Sequence, residues 1–132
     1  MTDLSIPSVP NTEELAIVLN LTDWAAIYDL STVSFIARIC DARGGALRRY
    51  EWKSGGASEF PNGVLAYDTV SKVMVLRAVS ADVLAAFPPA LIAQRGGSFV
   101  WELGFYLPSD TNKSNLIGIG DGAFTVENGV IV

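Results

Sequence analysis

Phe99, Trp101, Leu103, Phe105 and Leu107 place large apolar side chains at every second position of one stretch, the strictest alternation in the chain. Period two is the repeat of a β-strand, whose successive side chains point to opposite faces, so all of them fall on one side of a sheet. A helix would scatter them around its axis. The chain is therefore predicted to form around a central strand, and the remaining segments must supply a second layer that takes this face out of water.

Weaker versions of the same pattern flank it. Leu15, Ile17, Leu19 and Leu21 alternate, and the β-branched Ile17-Val18 pair argues for a strand over the helix that Asn11 and Glu14 could cap. Phe35, Ala37 and Ile39 alternate within 33–40, Asp41-Ala42-Arg43-Gly44-Gly45 has turn chemistry, and 46–52 reads as the return strand. Residues 64–67 and 73–78 form a second predicted hairpin across Asp68-Thr69-Val70-Ser71-Lys72. Residues 116–126 return from 99–107, and Val130-Ile131-Val132 is the expected closing segment. Only 81–87, capped by Ser80 and ended by Pro88, reads as helix. About seven or eight short strands with turns roughly every 8–12 residues predict an all-β chain folded as an antiparallel β-sandwich. Phe35, Ile39, Leu76, Phe99, Trp101, Leu103 and Phe124 are its expected shared core.

A chain of 132 residues has room for one such domain, assigned to residues 13–132. Residues 1–12 read as an extended N-terminal arm, because Pro7 and Pro10 fix an extended backbone that cannot be helical. An isolated extended peptide has nothing to offset its ordering entropy. Leu4, Ile6, Pro7, Val9 and Pro10 are therefore expected to lie along another protein chain.

Composition sharpens the expectation of partners. Hydrophobic residues make up 50% of the chain and charged ones only 17%, against roughly 25% charged in an ordinary soluble domain. Permanent contacts and a homo-oligomer within an assembly follow as expectations. The net charge of -5 repels a polyanion, so no nucleic-acid partner is expected. The absence of histidine removes Ser-His-Asp and Cys-His catalysis and histidine-ligated zinc. Asp23, Asp29, Glu51, Glu59, Asp68 and Glu102 are scattered singly, so no acid-base pair can be named, and neither an enzyme nor a cofactor is expected. Cys40, the single cysteine, lies in a predicted strand and reads as a structural thiol. The N-terminus lacks the basic start and apolar run of a signal peptide, which predicts synthesis in a cytoplasm. The uncharged stretch 83–94 is too short for a membrane span and carries Pro88-Pro89, so no membrane partner is expected.

Four motifs carry competing readings. Gly118-Ile119-Gly120-Asp121-Gly122 resembles a phosphate-binding loop but runs into Ala123-Phe124-Thr125-Val126, a strand pattern, which favours a bulged strand. Asp110, Asn112, Ser114 and Asp121 have calcium-loop spacing, but Asn115 occupies the position that needs glycine. Arg43, Arg48 and Arg49 cluster about one hairpin and are candidates for an acidic partner surface, against a plain solvated hairpin. Trp52, or else Trp24, is the candidate exposed ring, for a protein interface or for sugar stacking.

The order of features from Leu19 onward resembles a family. Asp23-Trp24 is followed by Asp29-Leu30 before a strand, then by Val73-x-Val75-Leu76-Arg77 and Ser80-Ala81-Asp82-Val83. Phe99-x-Trp101-Glu102-Leu103 comes next, and the ending is Gly118-x-Gly120-Asp121-Gly122-x-Phe124-Thr125-Val126-x-x-Gly129-Val130. This layout is similar to small phage and prophage virion structural proteins with an immunoglobulin-like sandwich, of the kind found at the N-terminus of phage upper baseplate proteins. Residues 90–97 depart from it as an insertion. The resemblance implies an immunoglobulin-like fold and no catalytic residues. It implies a role as a baseplate or tail adaptor, a capsid decoration protein, or the base of a head or tail fibre. The partners would be other virion structural proteins, and the place would be the virion, assembled in the bacterial host cytoplasm. A carbohydrate-binding β-sandwich module is the alternative expectation.

Overall fold

The computed structural model describes residues 2–4, 6–42, 47–54 and 64–130. Its strands are β1 (Thr2–Asp3), β2 (Ile6–Pro10), β3 (Leu15–Asn20), β4 (Ser34–Cys40), β5 (Arg48–Lys53), β6 (Val64–Asp68), β7 (Val73–Ala78), β8 (Ser98–Tyr106) and β9 (Ile117–Glu127). Three short helices join them: α1 (Thr22–Ala25), α2 (Ser80–Ala86) and α3 (Pro89–Arg95). One sheet runs β1-β9-β8-β4-β5, with β2 also beside β9, and a second runs β3-β7-β6. The two pack face to face as a β-sandwich.

The alternating strand of the sequence is β8, central in the larger sheet. Its inward residues meet inward residues on both sides: Phe105 opposite Phe35, Leu103 opposite Ala37, and Trp101 opposite Ile39 and Gly122. Gly122 leaves room beside Trp101 on the β9 side, while Ile39 packs opposite it on β4, and Trp101 is fully buried. The three-stranded sheet contributes Leu15, Ile17, Met74, Leu76 and Ala78, all buried. Each of the expected core residues belongs to this one cluster.

The connection from β7 to β8 differs from expectation. A second helix, α3, occupies 89–95, which reads in the sequence as an insertion ending in a turn. Pro89 sits at the first helical position, where its fixed φ suits the helix and its missing N–H is not needed. Gly96 then closes it at φ 67°, the left-handed conformation of a helix C-terminus. Gly97 follows at φ 74°, and a Cβ there would stand 2.3 Å from the Val126 carbonyl oxygen, so β9 can approach only because the side chain is absent. Ser80 does not cap α2; Val79 does so by position alone, and Ser80 is the first helical residue. Between the helices, Phe87 stacks its edge on Phe99 at 5.0 Å and tilts against Phe124 at 5.8 Å, closing this end of the core.

The glycines of β9 form a bulge within a strand. Leu103 pairs with Gly120 and Gly104 with Gly118, which leaves Ile119 as an extra residue. A Cβ on Gly104 would meet the Ile117 carbonyl oxygen at 2.7 Å, so the two backbones meet at a point where a side chain would not fit. Val130 lies outside any strand, and the last two residues fall outside the described set.

Candidate interaction surfaces

The arm is the largest departure from the sequence reading. Its partner is the chain's own last strand: β1 and β2 run parallel to β9, with Ile6 opposite Phe124 and Val9 opposite Val126. The backbone N–H of Leu4 donates to the Asp121 carbonyl at 2.8 Å, and the Leu4 carbonyl accepts the indole N–H of Trp101. Leu4, Ile6 and Val9 are half-buried against the core. The partner expected in another chain is thus found in this one, because β9 would otherwise be an edge strand with open hydrogen-bonding groups. Pro10 is half-buried, and the side chain of Pro7 lies outside the described set.

Asn11, beyond β2, fastens this arrangement, a role other than the helix cap the sequence offers for it. Its fully buried amide donates from Nδ2 to the Phe87 carbonyl at 2.9 Å and accepts at Oδ1 from the Gly129 N–H at 2.8 Å. One side chain ties the arm to the end of α2 and to the segment after β9. A lone polar residue after proline gives no sign of such burial, which is created only when three remote segments meet.

The arginine hairpin is engaged within the chain. Arg49 grips Asp41 in a two-pronged pair, Nε to Oδ1 and Nη2 to Oδ2, both 2.7 Å. Arg95 adds Nη2 to the Asp41 carbonyl oxygen at 2.7 Å. The Arg49 hydrogen bond is the main reason that the Asp41 carboxyl is held below its ordinary range. Arg48 reaches Glu51 at 2.7 Å and Lys53 approaches the same carboxylate at 3.5 Å. Arg43 lies outside the described residues. Arg48 and Arg49 are partly exposed and could still meet an acidic surface, but only by giving up these pairs.

Trp52 is not an exposed ring. It is fully buried, opposite Ala37, with its indole donating to the Arg77 carbonyl of the other sheet at 3.0 Å and Tyr50 edge-on at 4.7 Å. Burial, reinforced by the charge of Asp82, pushes the Tyr50 phenol up to about 12. Trp24 is half-buried and stacks on Tyr28 with ring centres 6.2 Å apart. Cys40 is buried, and burial raises its thiol above the ordinary value. Asp110 accepts the N–H groups of Ser114 and Asn115 and so organises its own turn.

At the end of the sandwich where residues 21–33 and 69–72 meet, Tyr28, Asp29, Ser31, Tyr67, Thr69 and Lys72 line a polar cleft of about 120 Å³. Its charged groups are already committed: Asp29 accepts the Ser31 backbone and hydroxyl, and the Lys72 ammonium donates to the Thr69 carbonyl. The Ser31 hydroxyl bond is the main cause that holds the Asp29 carboxyl below its usual range.

A different surface stands out on the outside of the three-stranded sheet. Val18 lies opposite Val75, which lies opposite Ala66, and Ala16 opposite Arg77, opposite Val64. Val18 is 67% exposed and Val64 53%, while Ala16 and Ala66 are exposed and Val75 is half-buried. Of the charges set in this face, Arg77 is turned onto Glu14 at 2.8 Å, and Asp68, at the end of β6, accepts the N–H groups of Val70 and Ser71 in its own turn. The alternation of Leu15, Ile17, Leu19 and Leu21 marks the inward residues of β3 and says nothing of the outward ones. The available signal was that Leu15-Ala16-Ile17-Val18-Leu19 is apolar on both alternations, which a strand with one wet face does not need. No helix among the described residues is long and apolar enough to cross a membrane. No family model matches the chain, and no match was found among curated proteins.

Proposed function

We propose that this chain is an immunoglobulin-like structural module of a virion, of the baseplate, tail-adaptor, decoration or fibre-base kind, that acts through protein-protein contacts. The observation that carries the contact role is the outer face of β3-β7-β6, where Ala16, Val18, Val64 and Ala66 are exposed and Arg77, the charge between Ala16 and Val64, is turned onto Glu14. Apolar groups gathered on one sheet face are what a contact surface needs and what a free monomer avoids. The strand order supports the finer fold reading: β9-β8-β4-β5 against β3-β7-β6 corresponds to the G-F-C-C′ and B-E-D arrangement of immunoglobulin-like sandwiches. The virion setting rests on the order of motifs from Asp23-Trp24 to Gly129-Val130. The sugar-binding alternative loses its best residue, since the Trp52 ring offers no face to a ligand.

Mass spectrometry of purified particles from the source of the gene tests the reading. The expected result is this chain at a fixed ratio to other structural proteins. Its recovery only in the soluble fraction, with no particle-associated copy, would overturn it.

A further inference from the structure

We infer that β3 pairs with the β3 of a second copy of this chain across a two-fold axis at Val18, joining two three-stranded sheets into one of six strands. The inference rests on the reading of this sheet as a contact surface, and it names what meets the free edge of β3.

The sheet edges are defended unequally. On the larger sheet, the edge beyond β9 is covered by the arm, whose Pro7 and Pro10 lack the N–H that another strand would need. The opposite edge, β5, reads Arg-Arg-Tyr-Glu-Trp-Lys, and its charges are held in pairs that an incoming strand would disturb. Charge and proline are the usual means by which an edge is kept from pairing. β3 has neither: Leu-Ala-Ile-Val-Leu-Asn carries no charge and no proline, and among the described residues it pairs on one side only, with β7.

The strand also fits itself. With Val18 on the axis, Ile17 falls opposite Leu19 of the second copy and Ala16 opposite Asn20. Inward residues then stay with inward and outward with outward, as the two-residue period demands. Leu19, only half-buried in one copy, gains an apolar neighbour. On the outside the row Ala66, Val75, Val18 continues into Val18, Val75, Ala66, with a β-branched pair at the centre. The chain bears a net charge of -5, so two copies repel over most of their surfaces, and this uncharged strip is where that cost is lowest. A six-residue junction covers less than the roughly 1,600 Å² of a standard interface, which sets the expectation of a concentration-dependent dimer rather than an obligate one.

Sedimentation of the purified full chain from about 1 to about 500 μM, a range that brackets micromolar association, should show a monomer-dimer equilibrium. A chain that stays monomeric throughout overturns the inference. Val18→Lys places a charge at the axis of an exposed position and should leave a folded monomer by circular dichroism. Val70→Lys, at an 89% exposed loop position away from β3, should still dimerise. A Val18→Lys dimer as strong as the parent, or equal loss in Val70→Lys, overturns the assignment. Should Val18→Lys fail to fold, Val18→Cys decides. Mild oxidation should give a covalent dimer on a non-reducing gel while buried Cys40 stays silent, and no such band overturns the axis. A dimer that never enters particles sinks the virion reading alone, and a monomer found in particles sinks the dimer alone.

Discussion

The two sheets share one core but treat their outer faces in opposite ways. On the larger sheet the outward positions carry a cross-strand row in register, fully buried Glu51 opposite Arg38, Arg38 opposite Glu102, and Glu102 opposite Asp121, with Arg38 and Glu102 3.6 Å apart. On the smaller sheet the central row is Val18, Val75 and Ala66, all apolar, with the charges Arg77 and Asp68 confined to the rows at either side. Inward residues are chosen by the core and look alike in both sheets. Outward residues are free of that demand, so a difference between them is where a protein's contacts are written. The larger sheet is sealed, at one edge by its own arm and at the other by paired charges. The smaller one is open.

Deleting residues 2–12 should do most to break this contrast. It unseals the larger sheet, uncovers Leu4, Ile6 and Val9 contacts, takes the acceptor from Trp101 and removes Asn11. The expected loss is of the order of 5 kcal/mol, a large part of the stability of a domain of this size, measured by urea unfolding. A truncated chain as stable as the parent would mean that the arm contributes nothing as a strand. Trp101→Ala follows, at about 3–5 kcal/mol, through lost burial and the cavity left opposite Gly122. Asn11→Ala strands the Phe87 carbonyl and the Gly129 N–H in a buried place and should cost about 1–3 kcal/mol. Its effect should include faster hydrogen exchange along β2 and β9, which a merely local defect would not give.

Acid supplies a smaller and sharper probe. Asp41, Asp29, Asp68 and Asp110 are all held below the ordinary 3.8 by hydrogen bonds to their charged forms. A depressed carboxyl contributes stability that is complete above its unfolded value and is lost as pH falls through the folded one. Stability should therefore decline below about pH 4, and Arg49→Ala should make that decline shallower by removing the main partner of Asp41. An unchanged acid limb would show that the Arg49 pair does not set it. Smallest of all, Val18→Lys should change unfolding stability by less than about 0.5 kcal/mol while abolishing association, since its position bears on the outer face alone.

Much of the architecture was legible in advance. The alternation of 99–107 located β8, 73–78 gave β7 to the residue, and the glycines at 118, 120 and 122 were correctly read as a bulged strand rather than a phosphate loop. Alternation is a local record of which side of a strand meets the core, so it survives in the sequence. The second helix was missed because Pro88-Pro89 reads as a stop, when Pro89 was in fact a start. Trp52 reads from the sequence as a candidate exposed ring or a half-buried interface one, because a strand's two faces are equivalent until a partner is known; the structure sets it opposite the small Ala37 and buries it fully.

What the residues by themselves determined was the period, the turns and hence a two-layer β-fold, because these depend on side chains within a few positions of one another. Only the tertiary structure decided that the arm returns to its own last strand, that Asn11 is the buried fastening, and that the arginines of the hairpin are paired at home. The first two join segments remote in the chain, Asn11 reaching Phe87 across 76 residues and Gly129 across 118, where the free energy comes from excluding water and satisfying backbone groups together; the hairpin pairs are close in sequence, but which side chains meet depends on the strand register. The exposed valine face stands between the two: its residues are plain in the sequence, but their being outside is a property of the sheet.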